Sequence, residues 1–192
     1  MRAIVALGNP GPAYAFTRHN AGFILGDFLA REWQLPSFRR AGRARVTDGT
    51  VLRERVAIIK PTTYMNRSGN ALGPLLDTEG FTVSSDMLVL VDEFQLPLGT
   101  FRIRSRGSAG GHNGLSSIES RLGSQDYARL RIGVGPVTDE FPDPADFVLS
   151  PFEQDEVDTL AELLPAMAEA VECWITDGIE VAMNRYNRRV EA

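Results

Sequence analysis

Short apolar runs alternate with helix-patterned segments along most of the chain. The runs Ile4–Leu7, Met87–Val91 and Leu130–Val134 each end in a turn or at a polar residue, as buried strands do. Strands that alternate with helices favour a largely parallel sheet with helices packed on it. The alternation predicts the α/β class: a three-layer α/β/α single domain with a twisted, mixed and largely parallel sheet.

Cap and turn residues set the expected ends of several elements. Asn20 is placed to cap one helix, and Gly123 is placed to end another. The segments Arg43–Thr50 and Val51–Lys60 predict a hairpin around Asp48-Gly49. A hairpin at this point would add antiparallel strands to an otherwise parallel sheet.

The last quarter of the chain carries a long amphipathic pattern. Ser150-Pro151-Phe152-Glu153 is a capping-box sequence with proline at the first helical position. Pro165 should kink or split the helix that this box opens. A last helix is predicted from about Ile179 to Arg189.

Composition narrows the class of protein. The chain has 192 residues, 43% of them hydrophobic and 23% charged, which fits one domain over residues 1–192 and excludes a disordered tail, a collagen-like fibre and a coiled coil. Its apolar runs are shorter than the ~20 residues of a membrane helix or the ~7–15 of a signal peptide. The one cysteine, Cys173, cannot form an internal disulfide. These features predict a cytoplasmic protein without a membrane partner.

Charge is distributed unevenly along the chain. The net charge is −5, yet residues 1–131 hold 17 basic and 11 acidic residues, whereas residues 132–192 hold 3 and 14. Nineteen of the 20 basic residues are arginine, whose planar guanidinium suits phosphate. The negative total argues mildly against a nucleic-acid partner. A basic face on the first two thirds and a merely solvated arginine-rich surface both remain open.

Unusual polar residues follow four of the predicted strands. They are Asn9, Tyr14, Arg18 and His19 after the first strand, Lys60–Asn66 after Val56–Ile59, Asp92 and Glu93 after Met87–Val91, and Gly107–Gly114 after Thr100–Arg104. Open α/β sheets bind ligands at the carboxyl ends of their strands. Four such loops predict a functional site at one edge of the sheet.

His19 and His112 are the only histidines in the chain. His19 stands just before a predicted helix, and Asp92 ends an apolar run abruptly, so the two form a candidate pair in which a carboxylate orients a base that activates water. Taken singly, each residue also has a structural interpretation. No serine or cysteine lies in a nucleophile motif, and no clustered Cys/His pattern predicts a metal site.

The glycine-rich segment Gly107–Gly114 feeds a predicted helix. Its backbone N–H groups could bind an anion, although it lacks the Gly-Lys-Ser/Thr of a P-loop. Arg102, Arg104 and Arg106 alternate just before it and are expected to share one face, which favours phosphate binding over a purely structural loop. A flexible connection is the alternative.

Five motifs follow one another across nearly the whole chain. They are Gly8–Gly11 with Thr17–Gly22, Lys60–Gly69, Asp92-Glu93, Gly110–Leu115 and Arg129–Gly133. In this order and spacing they resemble the bacterial-type peptidyl-tRNA hydrolases. The series is highly specific, whereas any one of the motifs alone is not.

The resemblance implies a monomeric cytosolic esterase. Such an enzyme cleaves the ester between a peptide and the terminal ribose of tRNA, and so recycles tRNA in translation. The resemblance implies His19 as the general base for water and Asp92 as the residue that orients it. It implies peptidyl-tRNA as the partner, and no metal, organic cofactor or obligate protein partner.

The same resemblance assigns the substrate contacts. Asn9 would sense the blocked peptide amide, and Asn66 and Asn113 would position substrate and water, with Asn113 a candidate oxyanion partner. Tyr14 and Tyr64 would line the pocket for the tRNA end and the peptide.

Two arginines and the C-terminal segment would hold the tRNA. By the resemblance, Arg104 and Arg131 would clamp its 5′-phosphate, and the long C-terminal segment would supply a lid and further contacts. Gln95 stands where the family usually has a second acid, and Val137–Asp146 carries four acidic residues. Affinity for tRNA is therefore expected to be modest and to depend on a local basic patch.

Two other functions fit parts of the pattern. One is a non-catalytic RNA-binding relative of the same fold, which would not need His19, Asp92 and the three asparagines. The other is a nucleotide-binding or phosphoester-cleaving α/β enzyme that uses the glycine loop, which would require a metal or a nucleotide.

Overall fold

A seven-stranded sheet runs through the part of the chain that the computed structural model describes, residues 1–187. Its strands are β1 (Arg2–Ala6), β2 (Arg39–Ala41), β3 (Ala44–Val51), β4 (Glu54–Pro61), β5 (Met87–Pro97), β6 (Phe101–Arg104) and β7 (Ala128–Gly135). The spatial order is β2-β3-β4-β1-β5-β7-β6. The central strands β4, β1, β5 and β7 are parallel, and the outer pairs are antiparallel. The predicted mixed, largely parallel sheet is confirmed.

Helices cover both faces of this sheet. They are α1 (Ala21–Glu32), α2 (Gly73–Leu76), α3 (Val83–Asp86), α4 (Asn113–Leu122), α5 (Pro144–Leu149), α6 (Gln154–Asp177) and α7 (Ile179–Tyr186). One buried core joins the sheet to α1, α5, α6 and α7, and a second joins its other face to α2, α4 and the 3₁₀ segment Met65–Ala71. The three predicted layers are therefore present.

No helix within residues 1–187 is long and apolar enough to cross a membrane. The predicted end of the last helix at Arg189 lies outside the described residues, and the extent of a single domain over residues 1–192 stays a prediction.

The hairpin of β3 and β4 turns four residues later than the sequence suggested. Val51 pairs with Glu54, so Leu52 and Arg53 form the turn, with φ angles of 50° and 71°. The prediction of a turn at Asp48-Gly49 was wrong, because both residues lie inside β3. A Cβ atom at Gly49 would lie 2.7 Å from the end of the Leu35 side chain, so a larger residue there would require that side chain to shift.

The start of α6 also differs from the prediction. Its capping box is formed by Glu153 and Glu156. The Glu153 side chain accepts from the backbone N–H of Glu156, and the Glu156 side chain accepts from the backbone N–H of Glu153. Ser150 instead ends α5, three residues earlier. The helix then continues without interruption from Gln154 to Asp177, so Pro165 does not split it.

Strand β6 runs in the direction opposite to that expected, although the segment that follows it still reaches the predicted edge of the sheet. It is antiparallel to β7, with Arg104 opposite Arg129, so it ends near the amino ends of the parallel strands. The loops after β1 and β4 and the end of the buried part of β5 do share the carboxyl edge. The glycine-rich segment reaches that edge only because it runs back to the start of α4.

Candidate active site

A cavity of about 390 Å³ opens at the carboxyl edge of the parallel strands. Loops after β1 and β4, strand β5, the start of α4 and helix α5 supply its walls. The predicted site residues that line it are Asn9, His19, Tyr64, Asn66, Asp92 and Asn113. The structure thus gathers side chains that are more than 100 positions apart in the sequence.

His19 and Asp92 form a buried pair at the base of the cavity. The His19 Nδ1 atom lies 3.0 and 2.9 Å from the two carboxylate oxygens, and the two residues are only 7% and 4% exposed. Because a carboxylate can only accept, Nδ1 carries the proton and Nε2 keeps its lone pair. This is the tautomer that a general base requires.

The second histidine also contacts Asp92. The Nε2 atom of His112 lies 2.8 Å from Asp92 Oδ1, and its Nδ1 accepts N–H bonds from Gly114 and Leu115 at the start of α4. The two imidazole rings lie 4.8 Å apart. Sequence reasoning assigned no role to His112; its position just before α4 was the available signal.

Asp92 is ionised in this environment. Burial raises the pKa of its carboxyl group, but His112 and then His19 outweigh burial and hold that pKa well below its usual range. The site therefore contains a carboxylate, shared between two histidines, at every pH near neutrality.

His19, Asp92 and His112 also form a possible ligand set for a metal ion, since their ligand atoms lie within 4.8 Å of one another. Zinc needs the lone pair of each histidine nitrogen that binds it. In His112 the lone pair lies on Nδ1, which already accepts two backbone N–H groups. The observed hydrogen bonds therefore suit a proton-sharing cluster and do not suit metal binding.

Asn9 is held in place by three hydrogen bonds. Its Oδ1 accepts from the Met65 backbone at 2.8 Å, while its backbone N–H and C=O pair with the side-chain amide of Asn20. Asn20 was expected to cap α1, but its side chain makes no hydrogen bond to the first turn of that helix. It binds the backbone of Asn9 instead. The Asn9 Nδ2 group has no hydrogen-bond partner among residues 1–187.

The other predicted substrate residues lie on the cavity wall or at its rim. The side chains of Asn66 and Asn113 have no hydrogen-bond partner among residues 1–187, so both amides are available to a ligand. Tyr64 lines the cavity and is 61% exposed. Tyr14 stands outside the lining and meets Tyr64 edge-on, with ring centroids 6.4 Å apart.

Arg104 and Arg131 lie outside the cavity, on one face of the β6–β7 pair. Arg104 is opposite Arg129, and Arg102 is opposite Arg131, so all four side chains point to the same side of the sheet. The shared face predicted for Arg102 and Arg104 is present. Arg106 lies beyond the end of β6.

Arg131 is already part of the protein's own network. Its guanidinium lies 3.4 Å from Glu93 and donates to the Ser108 carbonyl at 3.2 Å. The same carbonyl accepts from Arg129, which is fully buried and stacks on Tyr127. The two arginines thus anchor the glycine-rich segment that leads to His112.

Sequence reasoning also gave Arg18 no role. Its guanidinium is buried, donates to the Pro151 carbonyl at 2.8 Å and to Glu156 at 2.6 Å, and stacks 4.5 Å from the Phe147 ring. These contacts join the turn that carries His19 to α5, which roofs the cavity, and to the start of α6. No local pattern could reveal them, because the partners lie at least 129 positions away.

Fold and site together define an α/β protein with a buried histidine–carboxylate pair in a cavity at the carboxyl edge of its sheet, as in enzymes that activate water. The sequence model of the family described as peptidyl-tRNA hydrolase matches residues 3–192. The chain belongs to the peptidyl-tRNA hydrolase family, as the motif series suggested.

Individual relatives agree with this assignment. A peptidyl-tRNA hydrolase from Gemmatimonas aurantiaca is 46% identical over 190 residues, which is 98% of this chain and 100% of that protein. One from Chloroflexus aggregans is 43% identical and covers 97% of this chain and 99% of its own. The crystal structure of peptidyl-tRNA hydrolase from Acinetobacter baumannii has a TM-score of 0.88 at 30% identity and covers 97% of this chain and 94% of its own.

Proposed function

We propose that this chain hydrolyses the ester bond of peptidyl-tRNA and releases a peptide and free tRNA. The observation that carries the proposal is the buried pair in which Asp92 binds His19 Nδ1 at 2.9 Å and leaves Nε2 as a base at the cavity. An ester is activated enough for water to attack it with the help of a positioned base, which contributes ~10²–10⁴-fold to the rate.

The proposed reaction needs water as its nucleophile. Among the described residues that line the cavity there is no serine, threonine, cysteine or lysine. His19 Nε2 takes a proton as water attacks the ester carbonyl, and Asp92 stabilises the resulting imidazolium. When the tetrahedral intermediate collapses, the same proton passes to the ribose oxygen that leaves.

The amides of the cavity suit the polar atoms around this ester. The free Nδ2 group of Asn9 would donate to a carbonyl of the blocked peptide amide, and Asn113 would donate to the developing oxyanion. Asn66 would position substrate and water. Phe94 and Val148 give the cavity an apolar side suited to a peptide side chain.

The tyrosines and arginines extend this arrangement towards the tRNA. Tyr64, supported by Tyr14, would contact the tRNA end at the rim of the cavity. Arg104 and Arg131 would clamp the 5′-phosphate, because both lie on the same face of the sheet and guanidinium groups bind phosphate well. We expect the protein to act in the cytoplasm as a monomer, without a cofactor or an obligate protein partner.

Arg104→Ala is expected to weaken tRNA binding. It should also reduce the slope of log affinity against log salt concentration by the contribution of about one phosphate contact. Arg131→Ala should do the same, with an added effect on the loop that it anchors. The measurement is a binding titration at several salt concentrations, with 5′-phosphorylated and dephosphorylated tRNA. Arg53→Ala, in the exposed turn between β3 and β4, is the matched control.

The clamp predicts that removal of the 5′-phosphate weakens binding to the wild type and to Arg53→Ala more than it weakens binding to Arg104→Ala, which keeps only Arg131 as a phosphate ligand. An equal loss in all three proteins would rule out Arg104 as the phosphate ligand.

The function itself is tested with N-acetyl-aminoacyl-tRNA beside unblocked aminoacyl-tRNA, each with and without a chelator. We expect rapid release of the acylated amino acid from the blocked substrate alone, unchanged by the chelator. No cleavage, with tRNA still bound, would favour a non-catalytic RNA-binding protein. Cleavage that the chelator abolishes would favour a metal-dependent enzyme.

A further inference from the structure

The ring of His112 is held at both of its nitrogen atoms. Nδ1 accepts backbone N–H bonds from Gly114 at 3.1 Å and from Leu115 at 3.4 Å, so His112 serves as the N-cap of α4. Because Nδ1 accepts, the proton of the neutral ring lies on Nε2 and is donated to Asp92 at 2.8 Å. The ring thus connects the first turn of a helix to the Asp92 carboxylate.

The two histidines that share Asp92 are not equivalent. His19 Nε2 lies at the cavity without a hydrogen-bond partner among residues 1–187, whereas both nitrogens of His112 are occupied. A second proton on His112 would break its cap bonds at a helix end that carries partial positive charge. Only His19 can exchange a proton with the substrate without such a loss.

We propose that His112 is a positioning residue for the hydrolysis proposed above, on which this inference rests: it fixes the Asp92 carboxylate against His19 and is itself fixed by α4. Asp92 lies on β5 and His19 on the turn before α1, so neither element by itself sets their relative orientation. His112 supplies the third point of attachment. This arrangement leaves the proton transfer to His19 alone.

Other charged groups surround this cluster and contribute to any pH dependence. They are Glu93 on β5 with its partner Arg131 on β7, Arg18 and Glu156 behind the His19 turn, and Asp143 across the cavity at the start of α5. All of them stay in place in the variants below. A difference between those variants and the wild type therefore reports on His112.

The test is His112→Asn, because asparagine is a preferred N-cap residue but is too short to reach Asp92 while it caps α4. We expect kcat on N-acetyl-aminoacyl-tRNA to fall about tenfold at pH 7, with little change in KM. The carboxylate, freed of one N–H donor, would stabilise protonated His19 more strongly. The acid limb of the kcat profile should therefore move to higher pH, and the loss should be largest at low pH.

His112→Ala is the matched variant, since it loses both the Asp92 contact and the helix cap. It should have the kinetics of His112→Asn but a Tm ~2–4 °C lower. If activity instead follows Tm, or falls equally at every pH, His112 has only a structural role. Wild-type activity and profile in His112→Asn would equally overturn the proposal.

A second readout is independent of activity. Nitrogen-15 NMR of the imidazole rings in the wild-type protein should show His112 as the Nε2–H tautomer at neutral pH. An Nδ1–H tautomer would overturn the inference even in an active hydrolase. If the wild type does not hydrolyse the ester, the proposed function fails first, whatever the tautomer.

Discussion

Replacing His19 with alanine is expected to lower kcat by ~10²–10⁴-fold while tRNA affinity stays unchanged. The side chain lies at the cavity and acts on water, whereas the candidate phosphate ligands lie on the β6–β7 face. Single-turnover hydrolysis and tRNA binding should be measured on the same preparation. The loss should appear in the chemical step alone.

Added imidazole gives this experiment its control. The alanine variant leaves space beside Asp92, so free imidazole should restore part of the lost rate. Turnover comparable to that of the wild type would eliminate His19 as the base. A loss of tRNA affinity as large as the loss of kcat would show that the variant disturbs more than the proton transfer.

The second large effect is expected for Asp92→Asn. Both histidines lie within hydrogen-bond distance of Asp92 Oδ1, at 3.0 Å for His19 Nδ1 and 2.8 Å for His112 Nε2, so the one oxygen of an asparagine can still accept from both rings. What the variant loses is the negative charge that stabilises protonated His19 as water attacks. We expect kcat to fall about 10²-fold, less than for His19→Ala.

The pH profile distinguishes this variant from the His112 variants. Without the carboxylate charge, protonated His19 is less stabilised, so the acid limb should move to lower pH, opposite to the shift expected for His112→Asn. Asp86→Asn, just before the amino end of β5, changes the same functional group away from the cavity and should leave the profile in place. An unmoved acid limb in Asp92→Asn would argue against the pairing with His19.

Much of the fold follows from local pattern, and the exceptions have identifiable physical causes. The strand–helix alternation predicted the three layers, and Gly123 does end α4 in the left-handed conformation. The hairpin turn was misplaced because Leu52 and Arg53 adopt positive φ angles that usually favour glycine or asparagine. The pairing of β3 with β4, in which Val51 lies opposite Glu54, places the turn at these two residues.

The candidate site shows the same division. Polar side chains after apolar strands indicated Asn9, His19 and Asp92, because strand ends of a parallel sheet converge whatever the details of packing. Asn20 was misjudged, since a helix cap and a clamp on Asn9 use the same amide and only the distances distinguish them. The contact between His112 and Asp92 depends on the path of the loop after β6, and no sequence pattern predicts that path.

The sequence by itself predicted the fold class and the family, and it indicated His19 and Asp92 as a candidate base and carboxylate, because periodicity and motif spacing can be read along a single chain. Only the tertiary structure decided that Asp92 is shared by two histidines and that Arg18 ties the His19 turn to the roof of the cavity. A hydrogen bond forms only when the distance between donor and acceptor is correct to within a few tenths of an ångström, and here the two groups are far apart in sequence. Those distances exist only after the sheet and helices have packed.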